Sequence, residues 1–245
     1  MADPPTNAGT TLPEVRFAFE SSGTSSTHWR VVRVHVREAM SEVYEGVVDL
    51  ATETVDVDPS PLMAAPCRLS FARDSIARNL CGIVRRIEDM GTTAGNRLIR
   101  VFVVPKLWAL SQRVNSRIYQ NQNALDVVRD VFKRAGVYQD TLQDDTTVEY
   151  PVREYCVQYR ESDLAFAMRL LEAEGVGFYF THAEQTETLV WMDEVSTMGD
   201  VVGLDGESFA VAGTEASTAS VETVRRLDWA HETRPTGATL RDFDF

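Results

Sequence analysis

The chain has 245 residues, 37 of them acidic and 24 basic, and a formal net charge of -13; that length can bury a full core as one large domain or two ordinary ones. Phosphate contacts need a basic face, so this balance excludes a nucleic-acid binder or a protein held by anionic membrane as the default reading. No run of about 18 apolar residues is present, and residues 1–13 have neither the basic start nor the apolar core of a signal peptide, so cytosolic synthesis without membrane anchoring is expected. Cys67, Cys81 and Cys156 each sit in a strand-like run and are expected to be reduced core thiols.

Residues 1–13, rich in Pro, Thr, Gly and Ala, read as a disordered arm. Residues 15–20 form a short alternating run, and 29–37 (WRVVRVHVR) a half-buried strand with Val32, Val34 and Val36 on one face and Arg33, His35 and Arg37 on the other. Further strands are predicted over 41–49 and 68–71, with 79–88 and 97–104 as a hairpin joined across 91–96. Six strands with short links describe an antiparallel sheet, closed or sandwiched. After Pro105 the apolar Leu107-Trp108-Ala109-Leu110 and the polar 120–123 lead into a helix. Its buried face is Leu125, Val128, Val131, Phe132 and Ala135, and it is closed by Lys133, Arg134 and Gly136. Residues 137–149 are polar and acidic and read as a loop.

The next stretch, 150–180, is a strand, a helix and a strand. Tyr155, Val157 and Tyr159 alternate. Ser162 stands at a helix N-cap, with Asp163 in the first turn where the dipole favours negative charge. Leu164, Ala167, Met168 and Leu171 recur at helical spacing, widened by Phe166 and Leu170, and Gly175 supplies the left-handed stop. A strand over 188–192 ends the unit; 198–220 has no clear period, and 221–230 and 238–245 look extended.

No motif for chemistry emerges. His28, His35, His182 and His231 lack a nucleophile setting, and no G-x-S-x-G elbow is present. Short metal-ligand spacings and a phosphate-binding glycine loop are missing too, so catalytic, cofactor and metal residues are all read as none. Asp56, Asp58 and the Asp205-Gly206-Glu207 turn read as acidic loops. Glu172 and Glu174 lie at the helix C-terminus, where negative charge opposes the dipole. They are solvated, neutralised by a nearby base, or candidates for an intersubunit salt bridge.

Specific stretches carry a resemblance that periodicity does not supply. Tyr155-Cys-Val-Gln158-Tyr159-Arg160-Glu161-Ser162-Asp163-Leu164, then Arg169-Leu-Leu-Glu172 and Glu174-Gly175-Val-Gly-Phe-Tyr-Phe180, resemble the signature of the VgrG family. These are the spike or tip proteins of type VI secretion and related contractile injection machines. In order with them, residues 82–88 resemble the family's strand that begins with glycine, and Pro105 with 107–110, then Ser116-Arg117-Ile-Tyr119-Gln120-Asn121, its next block. Residues 240–245 resemble a later one, and the likeness covers about 15–245.

The resemblance implies a mainly β fold similar to the phage T4 baseplate hub, a β-barrel interrupted by an inserted two-helix α+β subdomain. On that reading 14–110 is the first part of the barrel, 111–193 the insert, and 194–245 the return to the barrel with the start of a truncated segment. Full-length members go on to further barrels and a needle, so this chain is expected to be a fragment, or a split hub that assembles weakly alone. The resemblance further implies a structural component without catalysis. Its partners are copies of itself in a homotrimer, the inner tube and baseplate proteins, and a needle region or separate needle. It is made in the cytoplasm and exported with the apparatus on firing. Rival readings are a contractile phage or prophage tail hub, an acidic hydrolase, and a carbohydrate-binding β module using Trp191 or Trp229. The polar ends of Tyr155, Tyr159, Arg160, Glu161 and Asp163 are expected at the strand-to-helix corner, fixing the insert.

Overall fold

The computed structural model describes residues 15–24, 26–73, 76–199 and, further on, 210–211, 223–224, 226–233 and 237. The chain divides into two compact units, Met1–Asp200 and Val201–Phe245.

In the first unit, β1 (Val15–Ser21), β2 (Arg30–Arg37), β3 (Glu45–Thr52), β4 (Pro66–Arg73), β5 (Ile76–Thr93) and β6 (Asn96–Val104) form one sheet. Its order is β1-β4-β5-β6-β3-β2, every neighbour antiparallel. The two edge strands, β1 and β2, come within 8 Å Cα to Cα without a ladder between them, so the sheet is a nearly closed barrel. Alternation along the strands turns Phe19, Val48, Leu50, Leu69, Ile99 and Val101 inward, where they are buried together with Trp29 and Tyr44. The hairpin between β5 and β6 closes on Ala94-Gly95, with φ of 50° and 76°, the paired left-handed turn that suits the strands' twist.

Two readings of this sheet need correction. Val32 does not share a face with Val34 and Val36. The register of β2 slips between Val31 and Arg33, a bulge that leaves Val32 exposed and puts Val31 with Val34 and Val36 against the core. The β5–β6 ladder also runs far past residue 88, through a second irregularity between Asp89 and Gly91.

Gly82, at the start of a family-like block, is where a side chain has no room. A Cβ there would lie 2.4 Å from the Val104 carbonyl oxygen and 2.8 Å from the Tyr44 hydroxyl. Glycine leaves room for that hydroxyl beside the strand, where it reaches the Cys81 carbonyl.

A 3-10 helix over Lys106–Gln112 leads to β7 (Val114–Gln122), α1 (Ala124–Ala135), β8 (Leu142–Asp145), β9 (Arg153–Ser162), α2 (Asp163–Glu174), β10 (Gly177–His182) and β11 (Glu187–Met192). β7 and β9 pair antiparallel. The expected 137–149 loop holds β8, which adds parallel to β11, a long-range ladder that a polar four-residue strand does not announce. Asn123 caps α1, and Gly136 ends it with φ of 72°. On α2 the buried face is Phe166, Ala167, Leu170 and Leu171, with Leu164 and Met168 half-buried at its margin. The stripe is therefore rotated from the one that spacing suggests. These residues pack on Val128, Val131, Phe132, Phe178 and Trp191 in a second core. Phe180 touches both cores, with its ring 5.1 Å from Tyr44 and 5.8 Å from Phe178.

In the second unit, β12 (Ala210–Val211) pairs parallel with β13 (Thr223–Val224). The expectations for 1–13 and 238–245 lie outside the described residues, as does most of 198–220, the stretch without a clear period.

Candidate functional site

Of the residues singled out by sequence, Arg117, Gln158, Glu161, Ser162 and Asp163 meet at the corner between β9 and α2, and the others lie away from it. Ser162 Oγ accepts the Ala165 amide at 3.1 Å, capping the helix. At the other end Gly175 adopts φ of 73°, and the Gly175 and Val176 amides close on the carbonyls of Glu172 and Leu171, turning the chain into β10.

Asp163, the first helical residue, is fully buried. One carboxylate oxygen accepts from Gln158 Nε2 at 2.8 Å, Asn115 Nδ2 at 2.9 Å and Arg117 at 3.0 Å; the other accepts Arg113 Nε at 3.0 Å. Its own amide donates to the Arg113 carbonyl at 2.7 Å. Burial pushes this carboxyl upward, but the bonds from Gln158, Asn115 and Arg113 and the charge of Arg117 outweigh it and hold it below the ordinary range. Gln158, also fully buried, donates to the Glu161 carbonyl at 3.3 Å and accepts from Arg117 at 3.3 Å. Four donors hold this carboxylate in its ionised form, and full burial closes it off from solvent. What the cluster does is tie β7, β9 and α2 into one rigid corner.

The other singled-out residues distribute around it. Glu161 pairs with Arg169 at 2.6 Å. Arg160, at φ of 52°, lays its guanidinium over the Tyr159 ring. Tyr119 points inward and stacks on Phe166. Gln120 and Asn121 are exposed near the far end of β7. Tyr155 and Tyr159 face outward, 54% and 66% exposed, on the same side of the β7–β9 ribbon as Val114, Ile118 and Val157. That exposed face mixes these apolar and aromatic side chains with Ser116 and Gln120, and it is the opposite of the side that meets Asp163. Glu174 is neutralised within the chain by Arg153 at 2.5 Å, whereas Glu172 is exposed.

Arg113 and Asn115 escaped sequence reading. The available signal was Arg113, Asn115 and Arg117 at two-residue steps, a polar face that only makes sense opposite a buried charge. A second buried acidic residue, Glu187, was also missed; its carboxyl bonds to Tyr44 and Tyr138. Trp191 is buried beneath Arg129, so it presents no ring to a sugar, whereas Trp229 is exposed. Among the described residues no cluster of three or more His, Cys, Asp or Glu side chains is placed to hold a metal ion. The three cysteines are free and buried.

Comparison with known proteins gives a consistent picture. The family model described as "Phage tail baseplate hub (GPD)" matches residues 37–245. The chain is 31% identical over 218 residues to the type VI secretion system spike protein VgrG4b of Pseudomonas aeruginosa, covering 88% of this chain and 26% of that protein. It is 30% identical over 217 residues to VgrG1c of the same organism, covering 87% and 29%. The chain thus spans little more than a quarter of these relatives' length. Among solved structures, an E. coli component of the type VI secretion system, described as similar to the T4 tail proteins gp27 and gp5, superposes with a TM-score of 0.69. That match has 21% identity and covers 75% of this chain and 51% of the other. A prophage MuSo2 tail protein from Shewanella oneidensis gives a TM-score of 0.51 at 14% identity, covering 73% and 53%. At these identities the structural likeness concerns the fold.

Proposed function

Because the chain belongs to the phage tail baseplate hub family, we propose that it is the hub portion of a spike in a contractile injection machine of the type VI secretion kind. Within the assembled spike, three copies sit between the inner tube and the needle. The observation that carries this reading is the nearly closed antiparallel barrel combined with a match to spike proteins over most of the chain. The two separate hydrophobic cores support the division into a barrel and an inserted unit over 111–193.

The role is mechanical and no reaction is assigned to the chain. Its contribution is stiffness. The barrel transmits load along its ladders, and the Asp163 cluster keeps the β7–β9 ribbon fixed to its helix, so that the exposed Tyr155 and Tyr159 are held on a firm base. A trimer whose subunits carry two such barrels offers six similar positions to a hexameric tube, which resolves the symmetry mismatch. The partners on this reading are copies of the same polypeptide, tube and baseplate proteins, and the needle. The protein is assembled in the cytoplasm and leaves with the apparatus.

A tail hub of a contractile phage or prophage is the second reading, favoured by the family description. Antibody-gold labelling of isolated sheathed particles tests both. Label confined to one end of the tube supports a hub; label along the sheath or absent from particles refutes it. The surrounding particle, with or without a capsid, separates the two readings.

A further inference from the structure

A contact remote from the Asp163 corner joins the two cores. Glu187, on β11, is 1% exposed. Its Oε1 accepts the Lys106 amide at 3.2 Å and the Tyr138 hydroxyl, which itself accepts the Leu107 amide at 3.1 Å. Its Oε2 lies 2.5 Å from the Tyr44 hydroxyl, and that hydroxyl also bonds to the Cys81 carbonyl. Tyr138 belongs to the α+β core and Tyr44 to the barrel core.

The protons in this network can be counted. A phenol carries one. The Cys81 carbonyl and an ionised carboxylate can both only accept, and one Tyr44 proton cannot make both bonds, whereas a protonated carboxyl satisfies both contacts. Among the described residues no ion pair reaches Glu187 to offset a charge buried at 1% exposure. We propose that Glu187 is carried in the folded protein as the neutral carboxylic acid, a proton-dependent latch between the barrel and the α+β core that weakens in alkaline solution.

The neighbours agree. Burial pushes Tyr44 and Tyr138 far above the usual phenol range, so both keep their protons through the neutral range. Burial likewise raises Cys67 to about 12 and moves Cys81 upward. His182, the cross-strand partner of Glu187, accepts the Cys81 amide on Nδ1 at 3.2 Å. Its proton therefore sits on Nε2, which faces Glu38 at 4.0 Å. Burial lowers His182 to about 4, so it brings no positive charge at neutral pH. On the β4 side, Arg68 is engaged by Glu20 and the Glu184 carbonyl. Among the described residues, Lys106 is the cation whose charge reaches Glu187; burial outweighs it and the bonds from Tyr138, Tyr44 and the Lys106 amide, and the carboxyl is raised.

The sign of the pH effect follows. An acid held protonated in the fold contributes stability in full below the ordinary carboxylate value, and that stability drains away as pH climbs toward the folded value. His182, depressed by burial, acts oppositely from about 4 up to the ordinary histidine value of about 6.5. The two offset each other in mild acid, and the Glu187 slope stands alone from about pH 6.5 to about pH 8, below thiol ionisation.

Urea unfolding of the whole chain across that window tests the latch, with Glu187→Gln as the comparison. Glutamine reproduces the acid's pattern, donating to Tyr44 and accepting from Tyr138 and the Lys106 amide. The expected result is an unfolding constant that rises at least about fivefold with pH in the parent and stays within about twofold in Glu187→Gln. A flat parent profile overturns the proposal, and so does a slope that survives in the variant. An unfolding constant raised about tenfold or more in Glu187→Gln throughout the window also overturns it, because that is the cost of removing an ionised acceptor. Should the variant not fold, infrared spectra of the parent with carbon-13 glutamate decide near neutral pH. A buried carboxylic acid carbonyl band supports the latch, and carboxylate bands alone refute it.

Discussion

Replacing Asp163 by alanine removes the single acceptor shared by Arg113, Asn115, Arg117 and Gln158. Gln158 is fully buried, Arg117 is 18% exposed in its side chain and Arg113 39%, so the first two have little water to turn to. Breaking a buried ion pair from one side costs about 3–5 kcal/mol, mostly through the charge left behind. Arg113 adds little to that, since it can rehydrate. For a unit of this size each kcal/mol moves the melting temperature by about 2–4 °C, so Asp163→Ala should melt about 6–20 °C below the parent. Asp163→Asn should fall between, since its amide keeps one acceptor but turns a donor toward a guanidinium. Circular dichroism melts of the monomer, checked by light scattering, measure this. Asp163 is held below its ordinary value, so its contribution is present above about pH 3.9 and lost as pH falls through the folded value. The parent should therefore lose more stability on acidification than the alanine variant. An unchanged melt would refute the rigid-corner account and move the cluster's role to a subunit contact.

Other outcomes follow from single residues. Gly82→Ala drives a methyl into the Val104 carbonyl and the Tyr44 hydroxyl; a loss of about 1–3 kcal/mol or more is expected by urea unfolding, with Tyr44 displaced. Glu174→Ala leaves Arg153 without its partner at 2.5 Å and should cost about 1.5–3 kcal/mol, whereas Glu172→Lys on the exposed side should stay within about 0.5 kcal/mol. If reversing Glu172 instead changes oligomer mass and salt sensitivity in the assembled spike, Glu172 is an intersubunit contact. Residues 1–245 by themselves should scatter light as a monomer at micromolar concentration; a stable trimer contradicts that expectation.

The elements that could be read in advance are those whose chemistry is local. Ser162, Asp163 and Gly175 signal a helix start and stop within a dozen residues, and Asn123 and Gly136 do the same for α1. Alternation exposed the barrel strands as well, failing at Val32, where one inserted residue flips the side chains beyond it. What stayed hidden depends on partners far along the chain. β8 is a strand because β11 lies beside it, and neither strand's composition contains the other. Arg113 and Asn115 look like ordinary polar strand residues until Asp163, 48 positions from Asn115, is placed opposite them. Glu187 lies 143 positions from Tyr44, and one acid among 37 carries no mark of burial. The family block from Tyr155 to Phe180 identified the fold more surely than its role, because its inward residues hold a corner while Tyr155 and Tyr159 stand in solvent.

The central claim is that this chain seats an injection tube. Deleting its coding sequence from its host and imaging sheathed tubes by electron cryotomography tests that claim most directly. The hub account predicts that no extended tubes assemble, that tube protein is not exported, and that both return with the parent gene. Tubes of normal length and number in the deletion strain, with export intact, would contradict it.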